Sequence, residues 1–320
     1  MDSRWWPVWA FVGLGLACQP AVGNRGQSGV AVDTTRMLAD LEYLASDSLE
    51  GRAAGTAGGR AARQFVTQAL RDAGVPPLGP EYVVPFRFSN RGSVEVEGAN
   101  VIGVIRGTEY PEHYIVLSAH YDHLGIRNGH IMNGADDNAS GTAAVLALAR
   151  VFVQQPIRHS LLVTLFDAEE QGLQGSRAFA AHPPVPFDSI VLDINLDMVS
   201  HSDSVLYVAG THYTPSLRPI LEAVPVKAPV VFRFGHDSPD LGDHDDWTNA
   251  SDHAAFHQAG VPFVYFGVED HPDYHQPTDD ADTINRVFYG RAIEAIRQAV
   301  IDLDSALDTV TVGAPGGSGA

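Results

Sequence analysis

The pattern of apolar positions changes within the first 120 residues from a helical to a strand period. Four apolar residues at helical spacing follow Asp33 and Thr34, either of which can cap a helix: Met37, Leu38, Leu41 and Leu44. The same spacing predicts a second helix over about 59–73. Alternating apolar positions and β-branched residues then predict three strands, near 82–88, 94–105 and 113–119.

Beyond residue 120 the pattern becomes an alternation of strands and helices. Segment 141–153 is apolar at helical spacing, and apolar runs predict buried strands over 160–166, 189–196 and 261–267. Segment 286–307 has the pattern of an amphipathic closing helix. Because the body of the chain contains no internal repeat and no linker, the sequence predicts one α/β domain over residues 33–308.

Polar residues follow four of the apolar runs at the point where each run ends. They are His120 and Asp122, then Glu169 and Glu170, then Asp197, and finally His275 in a loop that also contains His271. Open α/β sheets place their ligands at the carboxyl ends of the strands, so these residues are predicted to share one pocket rim. Two imidazoles and several carboxylates without cysteine suit a hydrolytic site that holds two divalent metals.

Composition and charge argue against several classes of function and of site. Hydrophobic residues make up 45% and charged residues 18% of the 320-residue chain, which is ordinary for a globular protein. A formal net charge of −19 argues against a nucleic-acid partner, because no basic stripe is present to contact phosphates. The chain has one cysteine, which excludes both a disulfide framework and a thiolate zinc site.

That cysteine, Cys18, follows a short charged stretch and an apolar run that together predict an export signal over residues 1–17. The run is too short to span a membrane as a helix. Segment 15–18 resembles a bacterial lipoprotein processing site, which predicts membrane attachment through lipidated Cys18. The alternative is plain secretion with cleavage near residues 21–23. Residues 18–32 are then a tether, and residues 309–320 a flexible tail.

Several segments resemble the co-catalytic di-zinc aminopeptidases, a family whose superfamily also includes glutamate carboxypeptidases and glutaminyl cyclases. The resemblance rests on SAHYDHLG at 118–125, NGADDNASG at 133–141, AEEQGLQGS at 168–176, NLDM at 195–198 and SDH at 251–253. Order and spacing agree from about residue 35 to 305. The resemblance implies a three-layer α/β/α fold with a central mixed, mostly parallel β-sheet.

The resemblance also implies a ligand set for two Zn²⁺ ions, with other divalent metals as alternatives. Asp137 would bridge both metals. His120 and Asp197 would complete one metal position, and Glu170 and His275 the other. His271 is a rival for the His275 position, while His123, His253 and His257 match no ligand position of the family.

Two further carboxylates receive catalytic roles from the same resemblance. Glu169 would be the general base, which takes a proton from the attacking water and passes it to the leaving amine. Asp122 would orient the His120 imidazole and raise its basicity. The expected activity is that of an exported aminopeptidase acting on peptides.

Two alternatives remain from the sequence. The same fold supports carboxypeptidase and glutaminyl-cyclase chemistry, although the cyclases typically use one zinc. A receptor-like binding domain is less favoured, because every ligand position is filled.

Overall fold

The computed structural model describes residues 1–2, 29–90, 92–242 and 245–307. Cys18, all but the first two residues of the predicted export signal and the tail 309–320 lie outside these ranges. Among these residues, no helix is both long and apolar enough to cross a bilayer.

An eight-stranded mixed sheet organises the molecule. In chain order its strands are β1 Val83–Ser89, β2 Glu95–Ile105, β3 Tyr110–His120, β6 His159–Phe166, β7 Ile190–Leu196, β8 Val205–Ala209, β9 Val231–Phe234 and β10 Phe263–Gly267. Across the sheet the order is β1-β2-β6-β3-β7-β10-β8-β9. A separate antiparallel hairpin joins β4 Gly125–Arg127 to β5 His130–Met132.

The four central strands β6, β3, β7 and β10 are parallel to one another. Both faces of these strands are covered, so their sequences are nearly continuous apolar runs, and every residue of β6 is buried. The antiparallel strands β1 and β2 extend the sheet on one side. This is the mixed, mostly parallel sheet that the sequence predicts.

Helices cover both faces of the sheet. They are α1 Thr34–Leu44, α2 Ala57–Ala73, α3 Gly141–Gln154, α4 Gln174–Ala181, α5 Arg218–Glu222, α6 His253–Gln258 and α7 Arg286–Ala306. Helices α1, α2, α3, α5 and α7 share one core cluster with the sheet, and α4 and α6 share the other. Strand β3 serves both, since Ile115 and Leu117 face one cluster while Tyr114 and Val116 face the other. The predicted three-layer α/β/α architecture is thus confirmed.

Capping side chains fix where the long helices begin. The Asp33 carboxylate accepts a hydrogen bond from Arg36 N at 3.0 Å, and Thr56 and Asn285 cap α2 and α7 in the same way. Helix α2 ends at Gly74, whose φ of 78° suits glycine. Ahead of α1, Val30 and Val32 pack against the core.

Candidate metal centre

The candidate centre lies at the carboxyl ends of the parallel strands, where the sequence predicts it. His120 is the last residue of β3, and Asp197 directly follows β7. Glu169 and Glu170 lie on a tight turn after β6, in which Ala168 adopts a φ of 58° and Glu169 O accepts hydrogen bonds from Gly172 N and Leu173 N.

One group of donors surrounds His120. Its Nε2 atom lies 3.3 Å from Asp197 Oδ1, and one carboxylate oxygen of Glu169 lies in the same three-residue group, all within 4.8 Å of one another. Burial alone would lower the pKa of His120, but the Asp197 and Glu169 carboxylates outweigh it and raise that pKa. Burial likewise opposes ionisation of Asp197, yet His120 lowers its pKa overall.

A second group surrounds Glu170. His275 Nε2 lies 3.5 Å from Glu170 Oε2 and 3.0 Å from Asp137 Oδ2. His123 completes the group, with Nδ1 2.6 Å from Glu170 Oε1. Burial lowers the pKa of His123 to about 3, so its ring is neutral at neutral pH and has a nitrogen lone pair to offer.

Asp137 lies between the two groups. Its Oδ1 atom is 3.4 Å from His120 Nε2, while Oδ2 faces His275. A carboxylate with one oxygen toward each group has the geometry that a bridging ligand requires.

The backbone around Asp137 is held by Asp279, to which the sequence analysis gives no role. The two Asp279 carboxylate oxygens accept hydrogen bonds from Asp136 N at 2.9 Å and Asp137 N at 3.1 Å. Asp136 in turn accepts hydrogen bonds from the amide and the hydroxyl of Ser200, both at 2.7 Å. The only sequence signal for Asp279 is its place shortly after His275.

Arg52 holds the backbone of the same loop, which contains Asp137. Its fully buried guanidinium donates to five carbonyl groups, those of Leu44, Tyr121, Asn133, Gly134 and Asp137. Burial lowers the pKa of Arg52 to about 10, although Asp137 and Asp279 oppose the shift. No ion pair joins Arg52 to a carboxylate among the described residues, so backbone dipoles stabilise the charge.

Asp122 lies between the candidate base Glu169 and the candidate metal ligand His120. Its Oδ1 atom accepts a hydrogen bond from Glu169 N at 3.0 Å and lies 3.6 Å from His120 Nδ1. The Asp122 carbonyl oxygen is nearer to that nitrogen, at 3.2 Å. Asp122 therefore contacts both residues, although its carboxylate is slightly too far to hydrogen-bond the His120 ring.

The donor set fits divalent cations. Burial raises the pKa of Asp137, Glu169 and Glu170, and the negative charge of neighbouring carboxylates raises it further. The pKa of Glu170 rises to about 7. The buried atoms Asp122 Oδ2 and His123 Nε2 have no hydrogen-bond partner among the described residues, and the close pair of Glu170 Oε1 and His123 Nδ1 lacks the geometry of a hydrogen bond. Cations among these groups would stabilise the carboxylates and give the free donor atoms a partner.

The structure distinguishes the remaining histidines by the groups that they contact. His271 lies beside Asp136, with Nε2 3.2 Å from Asp136 Oδ2, whereas His275 faces Asp137 and Glu170. His253 contacts Asn195 and the Trp247 carbonyl and belongs to neither group. His123 is the residue that sequence reasoning passes over. Its signal is its position three residues after the end of β3, where it follows His120 and Asp122.

A cavity of about 670 Å³ adjoins the second group. Glu170 and His275 line it on one side, and the hairpin residues Arg127, His130 and Met132 line it on another. Its position beside the candidate metal ligands makes it a candidate binding pocket.

Comparisons with known proteins place these features in context. Residues 100–300 match the model of a family described as Peptidase family M28. Aminopeptidase YwaD of Bacillus subtilis (strain 168) is 29% identical over 220 residues, covering 63% of this chain and 44% of that protein. The chain spans about half the length of the curated relatives that it matches first.

Solved structures share the fold at lower identity. BSAP, a zinc aminopeptidase from Bacillus subtilis, superposes with a TM-score of 0.67 at 18% identity, covering 88% of this chain and 96% of that one. Porphyromonas gingivalis glutaminyl cyclase superposes with a TM-score of 0.69 at 19% identity, covering 86% and 98%. A peptidase and a cyclase are thus equally similar in fold, so fold does not choose between their activities.

Proposed function

The chain belongs to peptidase family M28, and from that premise we propose that it is a zinc-dependent exopeptidase that removes N-terminal residues from peptides. The observation that carries the proposal is the position of Asp137, with one carboxylate oxygen toward His120 and the other toward His275. An isolated binding module has no need of two donor groups joined in this way.

In this proposal His120, Asp137 and Asp197 hold one zinc ion, and Asp137, Glu170 and His275 hold the other. When bound, the two ions polarise the scissile carbonyl and lower the pKa of the attacking water. His123, which lies against Glu170, either orients that carboxylate or adds a donor to the second position.

Glu169 moves the proton. Its turn brings the carboxylate to His120 and Asp197, while its own amide is fixed to Asp122. Burial raises its pKa, which makes the carboxylate a stronger proton acceptor than an exposed glutamate. In the proposed reaction Glu169 accepts the water proton and returns it to the amine that leaves.

The aminopeptidase direction draws support from the relatives, since the names of YwaD and BSAP both give that activity for those proteins. The decisive test is a panel of peptides, half N-acetylated and half C-amidated, incubated with the purified chain with and without a chelator. Chelator-sensitive loss of N-terminal residues that acetylation blocks is the expected result.

Other results of the panel would replace the proposal. Loss of C-terminal residues, blocked by amidation, would assign the chain to carboxypeptidase chemistry. Loss of ammonia from N-terminal glutamine would assign it to cyclase chemistry. No change in any peptide with added zinc would favour a binding domain.

We also propose export, with membrane attachment through Cys18, on the composition of residues 1–18 alone. The mass of the mature N-terminal peptide tests it. A diacylated Cys18 is expected, whereas a free N-terminus near residues 21–23 would indicate plain secretion.

A further inference from the structure

Three side chains outside the candidate centre form another compact group of metal-ligand type. His201 lies four residues after Asp197, and His271 and Asp273 precede His275. One donor atom from each lies within 4.8 Å of the others. The two imidazole rings stack at a centroid distance of 3.7 Å with an interplanar angle of 13°.

Asp273 supplies the point on which this group converges. Its Oδ2 atom lies 4.0 Å from His201 Nε2 and 4.0 Å from His271 Nδ1. Its other oxygen, Oδ1, accepts a hydrogen bond from the Thr278 hydroxyl at 2.6 Å. Thr278 therefore fixes the carboxylate with Oδ2 turned toward both rings.

His271 is the most informative member because one of its buried ring nitrogens has no partner. Its side chain is 7% exposed, and while Nε2 lies 3.2 Å from Asp136 Oδ2, Nδ1 lacks a hydrogen-bond partner among the described residues. The buried Nδ1 atom of the half-buried neighbour His201 lacks one too. A buried ring nitrogen without a partner costs free energy that a bound ligand would recover.

We propose that His201, His271 and Asp273 bind a zinc ion that is separate from the two ions of the candidate centre. Two imidazoles and one carboxylate form a usual zinc set, with water as the fourth ligand. His271 Nδ1 would bind the metal while Nε2 faces the Asp136 carboxylate, which orients the ring.

The observed arrangement is wider than that of a loaded site. Zinc bonds to nitrogen and oxygen of about 2.0–2.2 Å place tetrahedral donors about 3.4 Å apart, so Asp273 Oδ2 must approach each ring nitrogen by about half an ångström on binding. The two rings are nearly parallel, so one of them must also turn out of the stack for both nitrogen lone pairs to point at one ion. His201 is 24% and Asp273 26% exposed, which gives both side chains room to move and gives the ion a path from solvent.

The zinc would act as a clip between two loops. His201 belongs to the loop after β7, which begins at Asp197, and the other two ligands belong to the loop after β10, which leads to His275. Since the unfolded chain lacks this site, binding stabilises the folded state and restrains both loops. The inference does not depend on the proposed peptidase reaction.

Metal stoichiometry tests the clip. The full chain is loaded with zinc, dialysed against zinc-free buffer and analysed by inductively coupled plasma mass spectrometry. We expect three zinc ions per wild-type chain, two in His201→Ala and in Asp273→Asn, and three in the control His182→Ala, which changes an exposed histidine. Asp273→Asn keeps the oxygen that accepts the Thr278 hydrogen bond, so it should fold normally.

Thermal unfolding gives an independent measurement. In the Asp137→Ala background, zinc should still raise Tm, and His201→Ala added to that background should abolish the rise. Two zinc ions in the wild type with no change in either variant would overturn the clip, as would a third ion that both variants retain. One zinc that His201→Ala removes, in a chain that cleaves no peptide, would support the clip and reject the proposed function.

Discussion

At the scale of single residues, Asp137 and Glu169 have different proposed roles, metal bridge and general base, although both lie near His120. Asp137 reaches both donor groups, whereas Glu169 reaches only the His120 group. Loss of a bridge should remove metal, and loss of a base should remove only the proton transfer. The two carboxylates can therefore be distinguished by substitution.

Glu169→Gln should keep both metal ions and reduce turnover by about 10²–10⁴-fold, which is the usual contribution of a general base. Asp137→Ala should lose both ions of the candidate centre together with activity. Metal analysis and peptide hydrolysis, measured on the same preparations, check this pair. Normal turnover in Glu169→Gln would reject its assignment as the base, and loss of metal from that variant would make it a ligand.

Removal of the buried Arg52 guanidinium should strongly lower the stability of the folded state. Arg52→Met leaves five buried carbonyls without their donor, and a hydrogen bond to a charged group contributes about 1.5–3 kcal/mol. We expect the free energy of unfolding to fall by at least about 3 kcal/mol. Urea denaturation of Arg52→Met beside Arg60→Met, which changes an exposed arginine, measures the difference. Equal midpoints would show that Arg52 does not hold the Asp137 loop.

At the scale of elements, sequence patterns predict the long and fully buried ones. Strands β3, β6 and β7 are apolar for most of their length because helices cover both their faces, and such runs stand out in a sequence. The three-residue strands β4 and β5 and the four-residue strand β9 are too short to show a period. Helix α6, with six residues, is missed for the same reason.

The candidate site likewise contains residues that the sequence could predict and residues that it could not. Its motif residues could be predicted, because they follow recognisable strands or carry the family resemblance. The contacts of Arg52 and Asp279 could not, because both act on backbone groups brought near them only by the fold. The donor position of His123 likewise depends on where the turn after β6 places Glu170.

Strand β7 contains a carboxyl group whose titration should be measurable. Asp193 is fully buried, and among the described residues its carboxyl group accepts one hydrogen bond, from the Ser118 hydroxyl at 3.0 Å; burial raises its pKa well above the usual range. The folded state therefore binds more protons than the unfolded state as pH rises above about 4, and Asp193 reduces stability progressively over that range.

Asp193→Asn removes this penalty, so the stability of the variant relative to wild type should rise with pH. Chemical denaturation at pH 4, 6 and 8 measures the trend. The matched control is Asp188→Asn, which changes an exposed aspartate two residues before the same strand. A difference that stays constant with pH would show that Asp193 is not protonated in the folded state.

At the scale of the whole molecule, contacts with the core begin before α1. Val30 and Val32 pack against the core, and Val30 N donates to Gln155 Oε1 at 3.0 Å. These contacts connect the segment before α1 to the end of α3.

Removal of residues 1–32 should cost about 1–3 kcal/mol more than removal of residues 1–28, because it also removes two partly buried valines and a hydrogen bond. Both truncated chains keep Asp33 as the cap of α1, so only the two valines and their neighbours differ. Calorimetry of the pair measures the cost. Equal Tm values would place residues 29–32 in the tether.

The order of strands in the sheet differs from their order in the chain, and this affects how the protein can be made on the ribosome. Strand β10 is the last to be synthesised, yet it lies between β7 and β8, which are made some 55 to 70 residues earlier. In a nascent chain that ends before Phe263, the edge of β7 that pairs with β10 in the folded protein is unpaired. An unpaired edge of this kind can pair with strands of other chains. Such a nascent chain also lacks His275. Completion of the sheet must therefore wait until β10 has been synthesised, and the candidate metal centre is complete only after residue 275 has been added.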